Sequence, residues 1–381
     1  MKITAMPSDL LEVLNQVLPA VGKTEITTCV RLKVSGSILE LSCSDGEISL
    51  ATSLALDDCE DGDVCVIAKT FVDTLKKLDP DTQVKIKTLE NNRISVCSGK
   101  FRNYLQYLDA DIFPVIINEN EISSATFKTQ DLFTAIDGVK FCVASDSYRM
   151  FLKGANFCFN GDEASLISSN GHMMAFCKTS VALTNPVDAI IIPKRSLDVI
   201  CGLLKTCQDD TVIIRIAKNS ITMRVGSIHF NSTLIGAEFP HVTTMIDFTS
   251  NTRIIIDKND FINSVKRVAI TSNSLNKAVM FTLDGFNVKL ASKNSKQEEA
   301  EDEIKVINYT GQSQYSTAFS AEYILNVLSK IDTPTFCINA SSNCNNIRVT
   351  SCNSDDCSVK DNNIQSLNDN EYLFLISKIV V

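Results

Sequence analysis

Apolar residues recur along this chain with two periods that take turns. Six segments carry them three and four residues apart, the spacing that puts one stripe on a helix. "SDLLEVLNQVLPAVGK" opens with Ser8 as a candidate cap and aligns Leu10, Leu11, Leu14, Val17, Leu18 and Val21. "AKTFVDTLKKLDP" aligns Phe71, Val72, Leu75 and Leu78 before Asp79-Pro80 stops it. "KTQDLFTAIDGVKFCVA" aligns Leu132, Phe133, Ile136 and Val139, and "PKRSLDVICGLLKT" aligns Leu197, Ile200, Leu203 and Leu204 behind Pro193. "KNDFINSVKRVAI" and "FSAEYILNVLSKIDTP" complete the set, the last with Tyr323, Ile324, Val327 and Leu328 inward. The spacing predicts helices beginning near residues 8, 69, 129, 194, 259 and 320, a repeat of 60 to 66 residues.

Between these segments apolar and polar residues alternate with period two, the mark of half-buried strands. "SILELSCSDGEISLATSL", "DTQVKIKTLENNRISVCSG", "DDTVIIRIAKNSITMRVGSIHFNSTLIG" and "FTLDGFNVKLASKNS" read as hairpins, with turns at Asp45-Gly46, Asn91-Asn92 and Asp284-Gly285. Each unit is thus one helix with three or four antiparallel strands, an α+β pattern of sheets with helices on one face. Pairing the units predicts three similar domains, 1–117, 122–248 and 249–381. A Phe-Pro step marks the end of the first two, at Phe113-Pro114 and Phe239-Pro240, where the proline is expected to stop a strand and the aromatic to anchor the sheet end. "NENEISS" and "DFTSN" follow as short linkers.

Composition narrows the functional classes. The 381 residues carry 36 Lys+Arg against 45 Asp+Glu, a formal charge of -9, which argues against an ordinary basic duplex-binding module. The helical segments nonetheless hold a slight excess of cations, so a helix-lined surface would be mildly positive, unless these are simply solvated helix faces. "DDCEDGD" (57–63) and "QEEAEDE" (297–303) read as solvated acidic loops that repel a polyanion. No apolar run of membrane-spanning length and no basic-then-apolar leader is present, so a cytoplasmic protein without a membrane partner is expected. The 14 cysteines form no CxxC pair. Those at 29, 65, 97, 158 and 337 fall in strand-like alternation, as buried free thiols in a reducing compartment would, and Cys352 with Cys357 is the one disulfide candidate.

Candidate chemistry is sparse. His172, His229 and His241 are the only histidines, and no HExxH, GxSxG, P-loop or GxGxxG motif occurs. No catalytic residue, metal or cofactor is predicted.

The repeated pieces resemble the bacterial DNA polymerase III beta subunit family, the replicative sliding clamps, over essentially the whole chain. "DLLEVLNQVLPAVGK", "IFPVI", "SSNGHMMA", "VGSIHFNSTLIGAEFPHVTTMI" and "FSAEYILNVLSKI" carry the resemblance. The most specific stretch is "LASKNSKQEEAEDEIKVINYTG". The resemblance implies the DNA clamp fold and a ring-shaped head-to-tail homodimer with helices lining its hole. It implies a processivity factor without catalysis of its own. Its partners would be encircled duplex DNA, a second copy of itself, a clamp loader, the replicative polymerase catalytic subunit, and other polymerases and repair proteins.

Site residues follow from the same resemblance. DNA-facing positions are Lys23, Lys76, Lys77, Arg149, Phe151, Lys194, Arg195, Lys205, Lys266 and Arg267. A groove for partner peptides with apolar anchors would be formed by Leu152, Ser169, Gly171, His172, Met173, Met174, Pro240, Thr244 and Met245, with Leu373, Phe374, Leu375, Ile376, Ser377 and Lys378. Met173-Met174 and the tail "LISKIVV" depart from the family pattern, the tail by two extra valines, Val380 and Val381. The tail also reads as a plain core strand. The ring junction would involve Tyr104 and Leu105 on one side and Ile270, Thr271 and Ser272 on the other, although Ile270 equally suits a core position. Two other functions compete: a scaffold that kept the fold but not DNA encirclement, and a metal-dependent hydrolase built on His172.

Overall fold

A computed structural model describes residues 1–114, 120–341, 343–352 and 367–379, without the side chains of Thr243 and Thr244. Val380, Val381 and Cys357 lie outside the described residues, as does the domain boundary at 117. Two compact units emerge. The first is Met1–Gln130, Val181–Val187 and Asp198–Leu234; the second is Asp131–Ser180, Asp188–Leu197 and Ile235–Val381.

Seven α-helices occur among the described residues: α1 (Pro7–Val17), α2 (Ala68–Leu75), α3 (Thr129–Val139), α4 (Lys194–Thr206), α5 (Thr243–Ile246), α6 (Lys258–Val268) and α7 (Ala321–Leu328). Six start within one residue of the positions that periodicity predicts; the four-residue α5 has too few residues to show a period. Ser8 does not cap α1. Met6 holds that place without a side-chain bond, Pro7 fills the first turn where a missing N–H does no harm, and the Ser8 hydroxyl donates to Asp9. At α6 the expected chemistry is present, with the Asp257 carboxylate accepting from Asp260 N at 2.9 Å.

Unit 1 is built on one antiparallel sheet of fourteen strands. The sheet is continuous because Ile228–Thr233 pairs with Ile48–Ala55, His229 opposite Ala51 and Asn231 opposite Ser49. Strands expected in the central domain therefore belong to the same compact unit as the first domain. Leu10, Val13, Leu14 and Val17 of α1 are buried, and the helix packs on the strands Ile38–Ser44 and Ile48–Ala55.

Unit 2 holds a nine-stranded and a four-stranded antiparallel sheet. Its α6 buries Phe261 against Phe281, Phe319 and Phe336, the last edge-on at 5.1 Å. The C-terminal strand Tyr372–Ser377 lies between Met173–Ser180 and Asn346–Cys352, paired to both. A tail that pairs on two sides is an interior strand, which explains its nearly unbroken apolar run.

Two expectations change here. The acidic runs are strands rather than loops: Asp58–Glu60 ends the large sheet of unit 1, and Glu299–Lys305 ends the four-stranded sheet of unit 2. Glu299, Glu301 and Glu303 are exposed on alternate positions, with Lys293 and Lys289 paired to the first two from the neighbouring strand. Charge on an edge strand discourages unwanted pairing, so an acidic run can be β-structure and still read as solvated. The Phe-Pro steps do not abut strands. Strand Phe101–Asp109 ends before the short 3-10 turn Ala110–Ile112, and strand Ile228–Thr233 ends well before Phe239.

Candidate functional site

The hairpin of Glu163–Ser169 and Met173–Ser180 builds one wall of the site in unit 2. Its turn is set by side chains: Asn170 Oδ1 accepts from His172 N and Met173 N, both at 2.9 Å, and Gly171 takes φ +91°, open to glycine without strain. Ser169 Oγ donates to the Met173 carbonyl at 2.8 Å and accepts from Gly171 N at 3.1 Å. His172 is left exposed at the tip.

Register decides what the strands present. Met174 stands opposite Leu375, and Met173 opposite Ile376. Ile167, Met174, Phe176, Leu373 and Leu375 therefore share one face, where they meet Val242 and Ile246 in a buried apolar cluster bordered by Phe239, Phe248, Cys158 and Leu367. Phe374 points the other way, packing on Phe141 at 5.8 Å, and the Tyr372 hydroxyl donates to the Thr134 carbonyl at 2.8 Å. Burial pushes the Tyr372 phenol well above its ordinary range. Of the run Leu373–Ile376, only Leu373 and Leu375 lie on the cluster's side, and Met173 goes with Phe374 and Ile376 on the other.

Helix α5 closes the opposite wall. Arg348, only 2% exposed, donates from Nη1 to the Ile246 carbonyl at 3.1 Å, and its guanidinium lies 5.0 Å over the Phe248 ring. A cation fixed beneath the helix end answers a carbonyl that the helix leaves unpaired. Pro240 and Met245 are exposed beside it, Met245 at 46%, above the apolar floor. The Thr244 side chain lies outside the described residues. Leu152 is buried in the turn Met150–Lys153, and Phe151 packs edge-on against Phe239 at 5.7 Å. The result is a buried apolar cluster with one methionine, Met174, inside it and another, Met245, exposed on the neighbouring helix.

At the turn end of the groove the His172 ring stacks on Tyr323 of α7, centroids 6.0 Å apart. Ser377 N donates to the His172 carbonyl at 2.8 Å, and Lys378 Nζ donates to the Ser341 carbonyl at 2.7 Å. A cavity of about 450 Å³ opens there, lined by His172, Leu275, Lys277, Tyr323 and Lys378 among others. Sequence reasoning placed Tyr323 among the inward positions of its helix. Its neighbour His172 is distant in sequence, so no local pattern signals the pair. No group of three His, Cys, Asp or Glu that could hold a metal occurs among the described residues.

A strand edge and a 3-10 turn matter as well. In unit 1, Phe101–Asp109 pairs along Phe101–Gln106 with Arg93–Ser98, while its other side meets Gly62–Ile67 only at Tyr107–Asp109. Tyr104 is half exposed with the Arg93 guanidinium 5.4 Å over its ring, and Leu105 is half-buried. In unit 2, Ile270 is 82% exposed, which excludes a core position within its unit. Thr271 Oγ1 lies 2.7 Å from Ser292 Oγ, and Ser272 Oγ donates to the Ala269 carbonyl at 2.7 Å.

The basic positions divide between the units. Lys23, Lys76, Lys77 and Lys205 are exposed in unit 1. In unit 2 Arg149, Arg195 and Lys266 are exposed, Lys194 Nζ reaches Ser145 Oγ at 3.3 Å, and Arg267 pairs with Asp302. Phe151, at the groove margin, is not among the exposed residues; the fully exposed ring nearby is Tyr148.

Three family models match in order: the DNA polymerase III beta subunit N-terminal domain over residues 1–117, its central domain over 126–241 and its C-terminal domain over 244–361. The beta sliding clamp of Pseudomonas aeruginosa is 27% identical over 338 residues, covering 87% of this chain and 91% of its own. That of Vibrio cholerae is 26% identical over 354 residues, covering 92% and 93%. The crystal structure of the DNA polymerase III subunit beta from Pseudomonas aeruginosa aligns over 100% of both chains with a TM-score of 0.90 at 25% identity. The chain belongs to the DNA polymerase III beta subunit family, the bacterial sliding clamps, which are non-catalytic processivity subunits of DNA replication.

Proposed function

We propose that this clamp closes head to tail with a second copy around duplex DNA in the cytoplasm and holds its clients by short peptides in the unit 2 groove. The three repeats are 1–117, 122–248 and 249–381. The clients are the replicative polymerase catalytic subunit, other polymerases and repair proteins, and a clamp loader opens the ring. The observation that carries the groove assignment is the buried cluster of Met174, Phe176, Val242, Leu373 and Leu375 with Met245 exposed above it. An apolar floor with flexible methionines suits varied apolar anchors.

Ring closure is supported by the edges. Phe101–Gln106, which has no strand partner on its second side among the described residues, offers one edge with Arg102, and Glu299–Lys305 offers a second edge with Glu299, Glu301 and Glu303. Joining such edges between copies would satisfy both backbones and set opposite charges side by side. Enclosure also accommodates a charge of -9, because a ring that cannot fall off needs few phosphate contacts. Lys23, Lys76, Lys77, Arg149, Lys194, Arg195, Lys205, Lys266 and Arg267 supply those contacts.

Retention on DNA tests this reading. After treatment with a clamp loader and ATP, the chain should stay on nicked circular duplex through a salt wash and leave once the circle is cut. Ile270→Asp should halve the solution mass and abolish retention. Equal retention on linear and circular DNA would overturn encirclement.

A further inference from the structure

The strand face of unit 1 carries a second recess, a cavity of about 490 Å³ whose lining mixes charged and polar side chains with apolar ones. Its shape follows from register. Reading across the strands, Arg224 stands opposite His229, His229 opposite Ala51, Ala51 opposite Ser42 and Ser42 opposite Arg31. Directly paired residues share a face. The middle of this row is small and its two ends are long, which makes a trough. Ser49, opposite Asn231 in a neighbouring row, extends the small floor. At the usual strand spacing, His229 and Arg31 lie about 14 Å apart.

The two ends differ in charge. Arg31 is already satisfied: Nε and Nη2 donate to the Asp63 carboxylate at 2.8 and 2.6 Å, and Phe113 lies 5.9 Å from its guanidinium. At the far end, Arg224 Nε donates to the Gly226 carbonyl at 3.0 Å, and no carboxylate among the described residues forms an ion pair with it. His229 is exposed beside it. Arg215, on the next strand, reaches Glu121 at 3.3 Å, but both side chains are largely exposed and such a pair is readily exchanged. On the same face, Ser220 is 4% exposed and its hydroxyl has no hydrogen-bond partner. Two arginines and a histidine gathered on adjacent strands of an acidic chain, with an unanswered buried hydroxyl farther along the same face, form an incomplete anion site.

We propose that this trough binds an acidic peptide segment of another protein, extended across Ala51 and Ser42 with a carboxylate against Arg224, His229 and Arg215. A carboxylate would take up the free donors of Arg224 as a charge-assisted contact. A nucleic acid fits less well. Glu40 and Glu121 sit on the lining, and a strand charged at every step would meet both. The small floor admits a peptide backbone close to the sheet, where neutral residues between acids cost nothing electrostatically.

The probe is a fluorescein-labelled hexapeptide alternating glutamate with serine, titrated with the full-length chain and followed by anisotropy. Saturable binding is expected, weakened at least tenfold by Arg224→Glu and again by Ala51→Leu, which fills the floor without changing charge. Met245→Asp, in the unit 2 groove, should leave it unchanged, and far-UV circular dichroism checks that each variant is folded. Absence of saturable binding, equal binding by the folded Arg224→Glu variant, or tighter binding of a six-residue oligothymidylate would each overturn the proposal. The readout concerns unit 1 alone and holds whether or not the chain encircles DNA.

Discussion

Two Phe-Pro steps, identical as dipeptides, have different surroundings. Phe113 is 7% exposed, packed with Cys29, Cys65 and Ala110, and roofed by Arg31, which Asp63 holds in place. Burial pushes the Cys65 thiol up to about 12, so the pocket beneath the ring is a dry, unreactive one. Phe239 is half-buried, touches Phe151 edge-on, and borders the apolar groove cluster without closing it. Proline restrains the backbone equally in both. What differs is the covering: a ring almost wholly buried contributes to stability, and a ring left half-buried keeps surface that a partner could cover.

Truncation should separate the two most sharply. Phe113→Ala leaves a cavity among buried thiols and is expected to destabilise the chain by about 3 kcal/mol, read from the urea midpoint at unchanged slope. Phe239→Ala removes a ring already in part solvated, and its stability cost should stay at about 1 kcal/mol or less. Its larger effect should fall on binding. Affinity for a short peptide with leucine and phenylalanine anchors is expected to drop about tenfold, because an anchor at the margin of a desolvated pocket carries a disproportionate share of the energy. Comparable destabilisation by both variants, with peptide affinity intact in Phe239→Ala, would erase the distinction.

How much of this was legible in the sequence depends on range. Helix starts were readable because a 3.6-residue period is local: 7, 68, 129, 194, 258 and 321 are observed where 8, 69, 129, 194, 259 and 320 are predicted. The hairpin turns were readable for the same reason; Asn91 and Asn92 both take positive φ in the three-residue loop between the paired Leu89 and Arg93. The groove residues came from resemblance, which names positions but not faces. Strand alternation then splits Leu373–Ile376 into two facing Met174 and two facing away, a consequence of the pairing of the terminal strand with residues 173–177. Arg348 was invisible as a groove element, since nothing local distinguishes a buried arginine under α5 from a surface one. The acidic runs misled because charge suggests solvent, and an edge strand is where solvent and β-structure coincide.

The smallest expected effect concerns what supports the open ring's unit from its helical side. There Asp137 of α3 accepts from Lys330 Nζ at 2.6 Å, with Lys140 at 3.4 Å. Burial acts to raise the Asp137 carboxyl, but the Lys330 and Lys140 ammonium groups outweigh it and leave the carboxyl below the usual range. A depressed carboxyl stabilises the fold above its unfolded value, near 4, and loses that contribution as pH falls through its folded value. Asp137→Asn should therefore cost about 0.5 kcal/mol at neutral pH, small because both partners remain partly solvated. The two urea curves should converge as the pH falls from about 4 through the depressed folded value, below which the wild-type carboxyl is protonated as well. Peptide affinity should not change, because Asp137 lies on the helix side of the sheet whose other face forms the groove. A loss of peptide binding in Asp137→Asn would mean that the groove depends on the helix layer, and that Phe239 is held by more than the ring contacts seen around it.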